Sequence, residues 1–384
     1  MKQTIIVMIL STGLFLGACS GSDTSVKPGP DLVYRFDPHQ DIGTSGGADL
    51  EFFMIGAGSY LAVANARGGG TLNVDSRIYR WADTAFVEFQ SIPTSQASDW
   101  EFFVIGTGSY LAVANMNNGS TYNLESVIYR WDGAAFSEYQ AIPTNGAHDW
   151  EFFTIGTELY LAVANSHNDI SSNIDSRIYR WDGSYFQEFQ SIPTNLAGDW
   201  EYFTIGTDSF LAVANRNNGS SSNIESKIYR WEGSHFVQFQ AIPTSYASDW
   251  EAFTIGSDHY LAVAEFSNDL LNEIDSDIYR WNGSSFVEFQ TIPTQGASDW
   301  EFFSIDGSAF IALANYSSET SRNTDSKIFI WDGARFAQHQ SVATSGAVDW
   351  EYMPIAGGHY LGCANLYDGS TFFLDSIILK GTLQ

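Results

Sequence analysis

Seven aspartates stand at intervals of 50 residues, Asp49, Asp99, Asp149, Asp199, Asp249, Asp299 and Asp349, and a glutamate follows each two residues later, Glu51 through Glu351. Six asparagines keep the same interval, Asn65, Asn115, Asn165, Asn215, Asn315 and Asn365, with Glu265 in the remaining place. A third acidic series, Asp75, Glu125, Asp175, Glu225, Asp275, Asp325 and Asp375, stands directly before a serine each time. Nearly half of the 45 acidic residues therefore recur at fixed positions. Carboxylates so arranged can do three things. They can hold a hard cation such as Ca2+ with several oxygens, hydrolyse a glycosidic bond as a pair, or accept backbone N–H groups as clamps. Neighbouring carboxylates ~6 Å apart repel by roughly 3 kcal/mol at an effective dielectric of ~20. Seven bare aspartates would be costly. Most of the Asp49 to Asp349 series is expected to clamp one unit to the next, with one or two touching a cation in a central channel.

Catalysis finds little support. A single active site does not explain carboxylate pairs repeated in every unit. The seven histidines, His39, His148, His167, His235, His259, His339 and His359, have neither HExxH nor triad spacing, and no glycine-rich phosphate loop precedes a helix. No catalytic residue is assigned, and the chain is not expected to be an enzyme; glycoside hydrolysis or lysis is the alternative. Two cysteines, Cys19 and Cys363, exclude a disulfide framework and a CxxC metal site. Cys363 sits in an apolar run and reads as a buried thiol. The formal charge of −28 excludes nucleic acid and an anionic membrane surface as partners of the folded part.

The elements that position these acids repeat without an insertion or deletion. In the unit from Asp149, Trp150 to Ile155 is a nearly continuous apolar run, as in a strand buried on both faces. Tyr160 to Asn165 places alanines on one face and Leu161 and Val163 on the other. Ser176 to Trp181 ends at Asp182-Gly183, a hairpin signal, and Phe186 to Ile192 is a fourth strand stopped by Pro193. Four antiparallel strands repeated seven times predict an all-β, seven-bladed β-propeller, since a ring protects sheet edges. The last unit stops after its third strand, while Tyr34 to Gln40 has the pattern of a fourth. The N-terminal strand is thus expected to complete the last blade. In this order the recurrent acids fall on one face or in the channel mouth, and Arg80, Arg130, Arg180, Arg230 and Arg280 are read as partners between blades.

The motifs DWEFFxIGxxxYLAVAN, SxIYRWDG and FxEFQxIPT resemble the EAR repeat, also called EPTP, over residues 31–384. The seventh unit departs from the pattern at Met353, Pro354 and Leu379. The resemblance implies a secreted interaction module: family members bind cell-surface receptors with such a propeller, and calcium is associated with the channel. The kelch repeat has a similar period, but its double glycine is missing.

Ahead of the repeats, Ile5 to Leu16 is too short to span a bilayer and has the form of a secretory signal. Leu16-Gly17-Ala18-Cys19 resembles a bacterial lipobox, which implies a signal peptide over residues 1–18, acylation of Cys19 and a flexible tether over 19–30. Ser20 resembles an outer-membrane sorting signal. The chain is therefore expected to be an outer-membrane lipoprotein of the cell envelope. Its expected role is protein binding or adhesion through the acidic loop face; carbohydrate binding or glycan processing is the alternative. A site for one partner must break the sevenfold pattern, and the apolar departures are Phe266, Leu270, Leu271, Tyr316, Leu366, Tyr367, Phe372 and Phe373.

Overall fold

The computed structural model describes residues 33–384. The expected signal peptide over residues 1–18, Cys19 and the expected tether over 19–30 lie outside the described residues. The 28 strands form seven four-stranded antiparallel sheets. Blade 1 contains β2 (Gly47–Ile55), β3 (Gly58–Asn65), β4 (Asn73–Ala82) and β5 (Ala85–Ser95), innermost strand first, and blades 2 to 6 repeat that order. Blade 7 is built from both ends of the chain. Its strands β26 (Ala347–Ile355), β27 (Gly358–Asn365) and β28 (Asp375–Leu383) are completed by β1 (Tyr34–Gly43), which pairs antiparallel with β28 from Tyr34↔Leu383 to Gly43↔Asp375. The ring closes as its terminal strands predict.

The hydrophobic core lies between blades. The Ala62 and Ala64 face of blade 1 receives Trp100, Leu111 and Val113 of blade 2, all essentially unexposed. Alanines leave room for the indole of the next blade, so adjacent sheets approach closely where they converge on the axis. At the closing seam Phe36, 1% exposed, packs edge-on against Phe303 and Phe310 of blade 6, with ring centroids 5.5 and 6.4 Å away. Cys363 is buried in the same cluster.

Two strand details differ from the sequence reading. The fourth strand does not stop at its proline: Phe186–Asn195 runs through Pro193, which sits opposite Asp175. Being outermost, that strand has no neighbour to miss the absent N–H. Arginines of the Arg80 series act within blades rather than between them. Arg80 covers Tyr60 at 5.9 Å, Arg180 covers Phe189 at 5.4 Å, and Arg280 pairs with Asp258 at 2.8 Å. The antiparallel register places each arginine opposite the aromatic of the adjoining strand, as in Tyr60↔Arg80.

Phe36→Ala removes the largest apolar group that the first strand contributes to the seam. It is expected to destabilise the fold by about 3–5 kcal/mol, measured as a shift in urea midpoint. A loss well under ~1 kcal/mol would show that closure contributes little.

Candidate functional site

Asp49 and Glu51 lie two apart on the innermost strand, so both side chains face the channel. Leu50 between them enters the core. A one-residue bulge ahead of Asp49, repeated in every blade, sets this phase. The innermost strand is an edge, and its outward N–H groups have no strand to pair with. The preceding blade supplies the acceptors. Asp49 accepts the Trp100 N–H at 2.9 Å, each later aspartate repeats the contact at 2.8–3.1 Å, and Asp349 accepts the Leu50 N–H at 2.9 Å to close the circle. One layer deeper, Glu51 accepts the Phe102 N–H, and the glutamate ring closes at Glu351 and Phe52, all at 2.8–3.0 Å. All seven aspartates make the clamping contact.

The rings are electrostatically loaded. Burial first, then the neighbouring Asp249 and Asp349 carboxylates, hold the Asp299 carboxyl well above the usual range. Asp249 is raised likewise by burial and Asp199, and Glu151 by burial and by Glu201 and Glu101. A hydrogen bond to a charged group contributes about 1.5–3 kcal/mol, comparable to the repulsion between neighbours. Burial and mutual repulsion thus favour the neutral form of these carboxyls.

The asparagines serve the loops. Asn65 accepts the Ser45 N–H at 2.9 Å and donates its amide to the Asp75 carbonyl at 2.8 Å, tying the blade connection to the third strand. Glu265 keeps the first contact, to the Ser245 N–H at 2.8 Å, but a carboxylate has nothing to donate. Burial pushes its pKa up to about 8, so at neutral pH it carries a proton as the asparagines carry an amide. The Asp75 series is exposed in all seven blades.

Above the aspartate ring the channel opens into a funnel of about 380 Å3 that breaks the symmetry. Its floor includes all seven aspartates. Its wall includes the residue after the Asn65-type position in six of the seven blades: Ala66, Met116, Arg216, Phe266, Tyr316 and Leu366. Of the eight apolar candidates, Phe266, Tyr316, Leu366 and Phe372 line this funnel. Tyr367 stacks on Phe372 at 4.3 Å. Leu270, Leu271 and Phe373 are 86%, 48% and 61% exposed at loop tips, joined by Ile170 at 91%. Asp169 and Asp269 support two of those tips in a left-handed conformation where blades 1, 2, 4 and 7 have glycine. Each carboxylate reaches the preceding blade, accepting the Tyr122 and Ser222 N–H groups at 2.7 and 2.6 Å.

Sequence reasoning missed His148, Arg216 and Tyr246 in the funnel and the glutamine ring at the rim. Gln40 takes the Phe86 N–H and donates to its carbonyl, both at 2.8 Å, and the pattern runs round to Gln340 and Phe36. The signal was present, a glutamine every 50 residues from Gln40 to Gln340. Only the bulge before it turns that amide toward the next blade.

Among the described residues no three His, Cys, Asp or Glu side chains gather as a metal-ligand set. In donor chemistry the rings fit a hard cation; in spacing they do not form a direct cage.

A carboxyl whose folded pKa is raised gives stability that is present below its unfolded pKa and lost as pH rises through the folded one. The melting temperature is therefore expected to fall as pH rises from the ordinary glutamate value of 4.5 through the Glu265 value of about 8. Asp299→Asn, which keeps an acceptor for the Trp350 N–H, and Glu265→Gln should each flatten that fall. A pH-independent melting temperature in the wild type would contradict the assignment.

The sequence model of the EPTP domain matches seven times, over residues 35–82, 85–132, 135–182, 186–232, 235–282, 285–332 and 335–380. The mouse thrombospondin-type laminin G domain and EAR repeat-containing protein is 42% identical over 65 residues, 15% of this chain and 10% of that protein. Its human counterpart is 45% identical over 47 residues, 12% of this chain and 7% of that protein. The chain thus aligns with a tenth or less of these curated relatives. Each matched repeat runs from the outermost strand of one blade through the third strand of the next, seven times around the closed ring, and the chain belongs to the EPTP domain family.

Proposed function

We propose that this propeller is a protein-binding module displayed outside the cytoplasm, without catalytic activity of its own. The observation that carries the reading is where the sevenfold pattern fails: exposed apolar side chains collect at the tips of the loops joining second and third strands. Ile170, Leu270, Leu271 and Phe373 project there from blades 3, 5 and 7, and the Asp75-type acids that follow these loops in sequence are exposed as well. Apolar anchors rimmed by charge suit a protein partner with complementary basic groups. The test is affinity capture from the cell envelope with wild type and with Leu270→Ser, Leu271→Ser and Phe373→Ser combined. A specific partner should be lost with the triple variant at an unchanged melting temperature. Identical capture by both proteins would refute this loop face as the docking surface.

The display depends on the leader. Acylation of Cys19 would tether the propeller to the outer membrane, and acyl chains hold in proportion to buried CH2, ~0.8 kcal/mol each. Cys19→Ser should move the protein from the detergent phase to the aqueous phase. Unchanged partitioning would remove the anchor from the proposal.

A counter-cation in the channel belongs to the same reading, with Ca2+ favoured because the donors are carboxylate oxygens. It would lower the repulsion within the two rings. Chelator treatment should then lower the melting temperature, and added calcium should restore it. No shift, together with no metal by elemental analysis, would rule the cation out.

A further inference from the structure

The funnel contains a feature that neither the clamps nor the loop tips explain. Tyr246, Phe266 and Tyr316, from successive blades, form a continuous aromatic row with ring centroids 5.5 Å apart at both steps. A guanidinium covers each end. Arg216 lies over Tyr246 at 5.9 Å and Arg322 over Tyr316 at 4.4 Å. Both are under-used as donors. The Nε of Arg216 and the Nη1 of Arg322 are buried without a hydrogen-bond partner, and the one hydrogen bond from the Arg216 guanidinium is long, 3.5 Å to the Ser248 carbonyl. A buried donor without an acceptor is destabilising, and Arg216 is in the wall of the cavity.

The local sequence makes room for this arginine. In the other blades the bulge residue before the channel aspartate carries a side chain, as in Ala48, Ser98 and His148; in blade 4 it is Gly198. A Cβ on Gly198 would collide with the Arg216 guanidinium. The neighbouring His148 is held well below its usual pKa by burial and by Arg216, so it adds no positive charge.

The charges narrow the ligand. An anion would meet the aspartate floor and a chain of net charge −28. A cation would meet guanidiniums already stacked on both ends of the row. What remains is a neutral molecule with a flat apolar face and groups that accept from arginine while donating to carboxylate. Hydroxyl groups do both, and the C–H face of a pyranose ring matches an aromatic row. A volume of about 380 Å3 is within the range of small-ligand sites.

We propose that the funnel is a binding site for a neutral sugar, stacked along Tyr246, Phe266 and Tyr316 and anchored by the Arg216 guanidinium over the aspartate floor. This site is distinct from the exposed loop tips assigned to a protein partner, so either can fail without the other.

The experiment screens the full chain against an array of neutral and acidic glycans and titrates the hits by calorimetry. At least one neutral glycan should bind saturably. Arg216→Met and Phe266→Ala should each weaken it at least about tenfold with melting temperatures unchanged. Gly198→Ala is the independent arm: its methyl displaces the end of a flexible side chain, so the fold should persist while sugar binding falls. Triple substitution at the loop tips should leave sugar binding intact. No neutral glycan bound, binding confined to acidic glycans, or binding indifferent to Arg216→Met and Gly198→Ala would each overturn the proposal.

Discussion

A four-stranded blade has two edges, and each edge carries backbone N–H groups with no strand beside them. Left bare, those groups would be unsatisfied inside the ring and open to other chains outside it. In this protein the neighbouring blade caps both edges with side chains. Aspartate and glutamate serve the inner edge, and glutamine serves the outer one. Blades that share no backbone ladder are thereby held as if they did.

The clamps and the core constrain each other. Asp49 reaches the Trp100 N–H because Trp100 is packed against Ala62 and Ala64. A larger residue on that face would hold the blades apart and stretch the carboxylate contact. The cost of the arrangement is charge: fourteen acids converge on the channel, and burial with mutual repulsion raises the carboxyls of Asp249, Asp299 and Glu151. Structural clamping and raised carboxyl pKa values are two consequences of the same side chains.

Symmetry separates scaffold from site. The clamping positions recur in every blade, whereas the funnel positions vary from Ala66 and Met116 to Arg216, Phe266 and Tyr316. The asparagine position is intermediate: Glu265 fills it once, keeps the accepting contact to the Ser245 N–H, and is raised by burial to a pKa of about 8. Variation around a rigid mouth lets one framework present an uneven chemistry to a ligand without disturbing closure.

Much of this was legible in the residues alone. An uninterrupted 50-residue period, alternation along each arm, and a last unit one strand short specify seven blades and the strand that closes them, because each follows from local pattern and from counting. The aspartates were legible as clamps because unpaired neighbours would repel. The apolar departures at Phe266 and Tyr316 were legible because they break a repeat. The hidden part concerned direction. Strand pattern cannot show that a bulge turns Gln90 onto the Phe136 backbone, that Pro193 lies inside a strand, or that Arg80 stays within its own blade. Nor can it bring Tyr246, Phe266 and Tyr316 into one row, since each belongs to a different 50-residue period. A linear period states which residues recur; only closure into a ring, with its bulges and its converging inner strands, decides which of them meet.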